Sequence, residues 1–344
     1  MPESPGPRPV RLSLHYELSG EQKALSQRIV ENFQNGTDTL VYAVCGAGKT
    51  ELSYGVIAYA VSKGMNVGFA VPRRDVAIEL YWRIKEAFSS NKVVVVYGQH
   101  TSCLTGDIVI LTTHQLYRYP NCFDLLVMDE IDAFPFKGND VLISMFRKSL
   151  RGHCVMMSAT PSDEIKKEFS KKGREILELR TRFHKHEIPV PQFKGMPRIA
   201  QYPFIIVKLL KYRKEKKPCL VFAPTISKAE ELYSVIGKVV NKGGCVHSKK
   251  EDRPELIESF KKRKLDYLIT TSVLERGVTI KDLQVIVSYA DESRIYDSAA
   301  LIQIAGRAGR KSDAPTGDVL FLGVKENEEI QKSIDEIKYC NTFL

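Results

Sequence analysis

The sequence predicts an α/β fold in two tandem domains, each a mostly parallel sheet flanked by helices. Three observations carry that expectation. Apolar strand-like runs alternate with helical patterns along the chain, the signature of sheets covered by helices. The alternation stops once, at 186–198, where Pro189, Pro191, Gly195 and Pro197 leave little periodicity, and then restarts. The length, 344 residues, favours two domains over one. The reading divides the chain into a flexible Pro-rich tail at 1–15, a first domain at 16–185, a linker at 186–198 and a second domain at 199–344.

In the first domain the expected strands are 39–44, 66–71, 92–97, 107–111, 124–128 and 153–158, with helices at 50–62 and 75–88 among the connections. In the second, helix 203–214 leads to strand 219–223, helix 227–240, strand 244–247, helix 254–262, strand 267–270, strand 285–287 and a helix through 300–305. No sequence repeat is visible, yet the two halves read as two versions of one architecture.

Composition narrows the function classes. Hydrophobic residues make up 43% of the chain, enough for two cores. No run of about 18 apolar residues is present, so no membrane span is expected, and no charged-then-apolar leader is visible. These features predict a cytoplasmic protein. The net charge of +10 favours a polyanionic partner, nucleic acid before a membrane surface. The seven cysteines form no C-x-x-C pair, and several sit in apolar runs, as buried free thiols of a reducing compartment do. The basic clusters at 211–217 and 261–264 read as solvated helix faces.

The chemistry lies in four short runs. Gly46-Ala47-Gly48-Lys49-Thr50 follows an apolar strand and opens a helix. Small residues there let backbone N–H groups close around phosphate oxygens. Lys49 is expected to reach the β- and γ-phosphates and Thr50 to ligate Mg²⁺. The full pattern asks for Gly where the chain has Ala43. Asp124 to Asp132 is an apolar strand ending in acids, at the sheet edge where such folds bind ligands. Asp129 is expected to hold Mg²⁺ through water and Glu130 to orient and deprotonate the attacking water. Asp132 and the hydroxyls of Ser158 and Thr160, at the end of another strand, are expected to link this loop to its neighbours. Far along the chain, Gln303, Arg307 and Arg310 share one helix end. Two guanidinium groups three residues apart can clamp a γ-phosphate as charge spreads in the transition state. A nucleotide served from both domains would couple hydrolysis to domain closure, which suggests a motor.

In this order the runs resemble the superfamily 2 helicases and translocases: Gly46–Thr50 as motif I, Asp129 to Asp132 (D-E-I-D) as motif II, Ser158 to Thr160 as motif III, Thr270 to Val278 as motif V and Gln303 to Arg310 as motif VI. The resemblance implies two tandem RecA-like domains using ATP and Mg²⁺. It assigns Gly277 to the nucleotide, and Arg276, with Asp132, Ser158 and Thr160, to coupling. A closer resemblance, to the ComFA late-competence ATPases, rests on Pro72-Arg73-Arg74-Asp75-Val76-Ala77-Ile78-Glu79-Leu80, Thr112-Thr113-His114-Gln115-Leu116, the stretch from Asp129 to Phe136 and Leu274-Glu275-Arg276-Gly277-Val278-Thr279. It implies a single-stranded DNA translocase in DNA uptake, working with other competence proteins at a membrane channel, cytoplasmic or peripheral at the inner face of the cell membrane. Such proteins often carry a four-cysteine zinc module near the N-terminus. This chain offers no such set, so no zinc is expected.

By the same resemblance, Arg73, Thr113, His114 and Gln115 of the first domain and Thr225 and Thr271 of the second touch the strand's phosphate backbone. Hydroxyls, amides and a few arginines suit that task, because they grip phosphates without reading bases. Gln22 would read the adenine edge, since an amide both donates and accepts. It equally fits a capping box with Ser19, and the two roles are compatible. Rival readings are a duplex-unwinding helicase of repair or replication restart, an RNA-dependent ATPase, and a nucleic-acid-binding module without hydrolysis.

Overall fold

Two all-parallel sheets organise the chain. The computed structural model describes residues 6–14, 16–44, 46–131, 138–182, 186–271, 280–311 and 313–344. Its contacts divide into two units, Met1–Phe183 and His184–Leu344.

The first unit opens with helix α1 (Gly20–Gln34), followed by β1 (Asp38–Ala43), α2 (Lys49–Leu52), α3 (Tyr54–Ser62), β2 (Val67–Val71), α4 (Arg74–Ala87), β3 (Val93–Val96) and β4 (Ile108–Thr112). After a 3₁₀ turn at Thr113–Arg118 come β5 (Phe123–Asp129), α5 (Asp140–Ser149), β6 (Leu150–Ser158), α6 (Asp163–Phe169) and β7 (Arg174–Leu179). The strand order is β3-β4-β2-β5-β6-β1-β7, and all pairs are parallel. Helices on both faces bury both sides of such a sheet, and β2 and β4 are accordingly buried along their whole length. One core cluster packs Leu40, Leu111, Leu126 and Met128 of the sheet against Phe146 of α5 and Phe169 of α6. Gly152 lets β6 close on β5: a Cβ there would stand 2.2 Å from the Asp124 carbonyl oxygen.

The second unit begins with β8 (Gln192–Gly195) and α7 (Gln201–Lys214). It continues with β9 (Cys219–Phe222), α8 (Ile226–Ile236), β10 (Gly243–Val246), α9 (Arg253–Lys261), β11 (Tyr267–Thr270), β12 (Gln284–Val287), α10 (Ser298–Ala305), β13 (Val319–Gly323) and α11 (Glu328–Asn341). Its sheet order is β10-β11-β9-β12-β13-β8. Leu209, Val221, Leu232, Ile236, Tyr267 and Ile286 belong to its core.

Three expectations change. The span 186–198 is not a bare linker: β8 pairs in parallel with β13, and buried Ile188 exchanges both backbone bonds with the Asn341 side chain. Prolines on either side hid a four-residue edge strand, the one sheet position that tolerates them. The tail is tied down where it is described. Ser13 N donates to the Ala87 carbonyl, Arg11 N to the Ser90 hydroxyl, and Arg8 pairs with Asp107. The helix expected over 50–62 is divided at Ser53, whose hydroxyl donates to the Thr50 carbonyl at 2.7 Å and competes with the helical ladder. Cys154, Cys219, Cys245 and Cys340 are buried free thiols, whereas Cys103 is exposed.

Candidate active site

The loop after β1 has the conformation a phosphate cradle requires. Gly46 and Gly48 have φ of 85° and 77°, in the left-handed region that other residues enter at a cost. A Cβ on Gly48 would stand 2.7 Å from Gln22 Nε2, so bulk as well as dihedral excludes a side chain. Gln22 is buried. It closes the capping box with Ser19, its Oε1 accepting from Ser19 N at 2.9 Å, and its Nε2 donates to the Ala47 carbonyl at 2.8 Å. Both ends of the amide therefore hold the loop and the start of α1. In this arrangement the capping role is realised, and one donor and one acceptor of the amide are engaged.

Lys49 and Thr50 begin α2 directly after Gly48. Two strands away, Asp129 ends β5, and its Oδ1 accepts from Glu130 N at 2.8 Å. Glu130 has φ 59°, a costly conformation for a non-glycine residue of the kind that collects at functional sites. Its Oε2 is shut away from solvent. Ser158 ends β6, and its hydroxyl accepts from Thr160 N at 3.0 Å, fixing that turn. The donor set fits Mg²⁺ with ATP: a glycine cradle, a cation, a hydroxyl and a carboxylate pair at one sheet edge. Asp132 lies outside the described residues.

Two features of this region had no motif to announce them. Arg182 is buried and lies along the cradle, its Nε 3.6 Å from where a Gly46 Cβ would be. Glu51, the residue after Thr50, is buried and paired with Arg83 of α4. Burial works against the Arg83 cation, but Glu51 together with Tyr54 and Glu79 more than offsets it and the guanidinium pKa is raised. The Tyr16 hydroxyl also bonds Glu51; partial burial and that carboxylate push its pKa to about 12.

In the second unit α10 is capped by Asp297, whose Oδ1 accepts from Ala300 N at 2.8 Å. Gln303 and Arg307 are buried, and Arg310 Nε donates to the Gly306 carbonyl at 3.0 Å. Gly309, φ 64°, turns the chain so tightly that a Cβ would stand 2.1 Å from the Pro315 carbonyl oxygen. Arg276 and Gly277 lie outside the described residues.

The expected nucleic-acid contacts divide. Arg73 is the N-cap of α4, with Nε and Nη2 shut from solvent, and the exposed Arg74 stacks over the Tyr97 ring. His114 is exposed. Thr113 is fully buried; Gln115 is also buried and accepts from Arg118 Nε at 2.7 Å. The Gln115 side chain bonds across the 3₁₀ turn, the Thr113 hydroxyl is shut from solvent, and of the three side chains only that of His114 is exposed. Thr225 caps α8, its Oγ1 accepting from Lys228 N at 3.2 Å, and Thr271 is buried.

The family described as DEAD/DEAH box helicase matches residues 23–168, and the helicase conserved C-terminal domain matches 202–312. Competence protein ComFA of Streptococcus pneumoniae is 35% identical over 351 residues, covering 99% of this chain and 81% of that protein. The chain belongs to the ComFA family. The ComFA of Bacillus subtilis agrees at 32% identity, covering 96% of this chain and 74% of its own. Saccharomyces cerevisiae Dbp5, solved with RNA and ADP BeF3, shares the fold with a TM-score of 0.68 at 16% identity, covering 95% of this chain and 93% of its own.

As a ComFA-family chain with both helicase domains, this is an ATP-hydrolysing, helicase-type protein that uses Mg²⁺ and binds nucleic acid. Among the described residues no helix is long and apolar enough to cross a membrane. No group of three or more His, Cys, Asp or Glu among them is placed to hold a metal ion.

Proposed function

We propose that the chain is an ATP-driven single-stranded DNA translocase serving DNA uptake in competence, at the inner face of the cell membrane. The carrying observation is the glycine cradle beside a strained Glu130, in a chain 35% identical to a protein named for competence. Gly46, Ala47, Gly48 and Lys49 bind the phosphates. Thr50 and Asp129 hold Mg²⁺, which supplies charge neutralisation at the phosphates when bound. Glu130 takes the proton of the attacking water. Gln303, Arg307 and Arg310 act in the same hydrolytic cycle, Gly277 serves the nucleotide, and Asp132, Ser158, Thr160 and Arg276 couple that cycle to the grip on the strand. Arg73, His114, Thr225 and backbone amides at Thr113, Gln115 and Thr271 hold phosphates without reading bases. Binding of the charged nucleotide and its loss on hydrolysis shift the protein between two grips, which moves the strand.

The test is the ATPase rate with single-stranded DNA, duplex DNA and RNA of matched length. Strongest stimulation by single-stranded DNA is expected. Stimulation by RNA alone would overturn the DNA reading, and strand separation on duplexes would move the assignment to an unwinding helicase.

A further inference from the structure

Glu51 joins two parts of the first unit with different duties. It sits on α2 directly after Lys49 and Thr50. Its Oε1 pairs with Arg83 Nη2, and its Oε2 lies 3.7 Å from the point where a Gly48 Cβ would be. One carboxylate thus borders Gly48 of the phosphate loop and holds α4. Arg83 is in the C-terminal half of α4. The other end of that helix begins at Arg73 and Arg74, a rigid rod of about 20 Å. A shift of α4 caused by a strand held at its N-terminus would therefore reach Glu51, and through it the cradle.

The pair is an unusual choice for stability alone. Glu51 is buried but the Arg83 side chain is 39% exposed, and solvent screening leaves a partly exposed pair little stabilising value. Packing around it is also incomplete. A cavity of about 20 Å³ is lined by Tyr16, Glu51, Tyr54 and Arg83, room for about one water and for a small movement of the pair.

We infer that the Glu51–Arg83 pair is a positioning tether that transmits strand binding at α4 to the phosphate loop, so that nucleic acid accelerates ATP hydrolysis. This rests on the proposed reading that strand binding stimulates turnover. Glu51 and Arg83 touch neither substrate; they act through Gly48 and α4.

The experiment compares the full-length wild type, E51Q, R83K and the double variant E51M/R83M. It measures ATPase rate with and without a saturating single-stranded oligonucleotide, KM for ATP, oligonucleotide affinity and thermal midpoint. The double variant keeps packing and removes the ionic link. Its midpoint, unstimulated rate and oligonucleotide affinity are expected close to wild type, while the stimulation ratio falls about fivefold or more, the scale of ordinary coupling energies. R83K, with the charge but without the forked guanidinium, is expected to fall between. Should the double variant not fold, E51Q keeps the shape and carries the comparison. Full stimulation in these variants, or an equal loss of basal and stimulated rates, overturns the tether. Absence of stimulation in the wild type itself overturns the reading beneath it.

Discussion

The two units share a parallel-sheet scaffold, of seven strands in the first and six in the second, and the turns that leave β1 and β9 differ in what they can bind. In the first, β1 runs into Gly46 and Gly48, both with positive φ, and the backbone there is bare enough to surround phosphate. In the second, β9 runs into Ala223-Pro224-Thr225. Proline has no N–H to offer, and the Thr225 hydroxyl is spent capping α8. A strand–turn–helix therefore makes a cradle after β1 and a plain helix start after β9, which holds the sheet position of β2 and leaves through a proline turn as β2 does, Pro72 there and Pro224 here. A parallel sheet supplies the place at its edge, and the turn residues decide what can bind there. The second unit puts its tight glycine elsewhere, at Gly309, shaping the turn that carries Arg307 and Arg310.

This contrast can be broken in graded ways. Glu130→Gln, which tests whether chemistry belongs to the first unit, is expected to lower kcat about a thousandfold while leaving nucleotide affinity intact; turnover assays with a fluorescent nucleotide titration check it. Gly309→Ala forces a Cβ onto a backbone oxygen in the second unit, so a loss of about 3 kcal/mol is expected in denaturant unfolding. Gly48→Ala is expected to cost about 2 kcal/mol through its left-handed backbone, and to weaken ATP binding as well. Normal nucleotide affinity in that variant would remove the glycine contrast as the explanation. Thr225→Ala should cost about 1 kcal/mol, the value of a lost cap, with no change in nucleotide affinity.

Much of this was legible because parallel strands announce themselves. Buried on both faces, β2, residues 108–111 of β4 and residues 125–128 of β5 are continuous apolar runs. The edges were not. Arg174-Glu175-Ile176-Leu177-Glu178-Leu179 alternates charge with apolar residues, and Gln192–Gly195 lies among prolines, so β7 and β8 gave no such signal. Around the proposed site, residue type and spacing were enough to put Gly46 and Gly48 in a turn, Lys49 and Thr50 at a helix start, and Asp129 and Glu130 at a strand end, where the structure has them. They could not tell that Thr113 and Gln115 point inward, because burial of a short turn depends on what packs over it. Nor could they find Arg182 or the Glu51–Arg83 pair. Arg182 lies about 135 residues from the glycine it touches, and Arg83 is one of several charges on an amphipathic helix.

The central claim is that hydrolysis belongs to the phosphate loop of the first unit and is driven by strand binding. It is tested most directly by phosphate release from the wild type and Lys49→Ala, each with and without single-stranded DNA, alongside oligonucleotide binding. The account predicts strand-stimulated release in the wild type and none above background in the variant, which still binds the strand. Release at the wild-type rate from Lys49→Ala would contradict it.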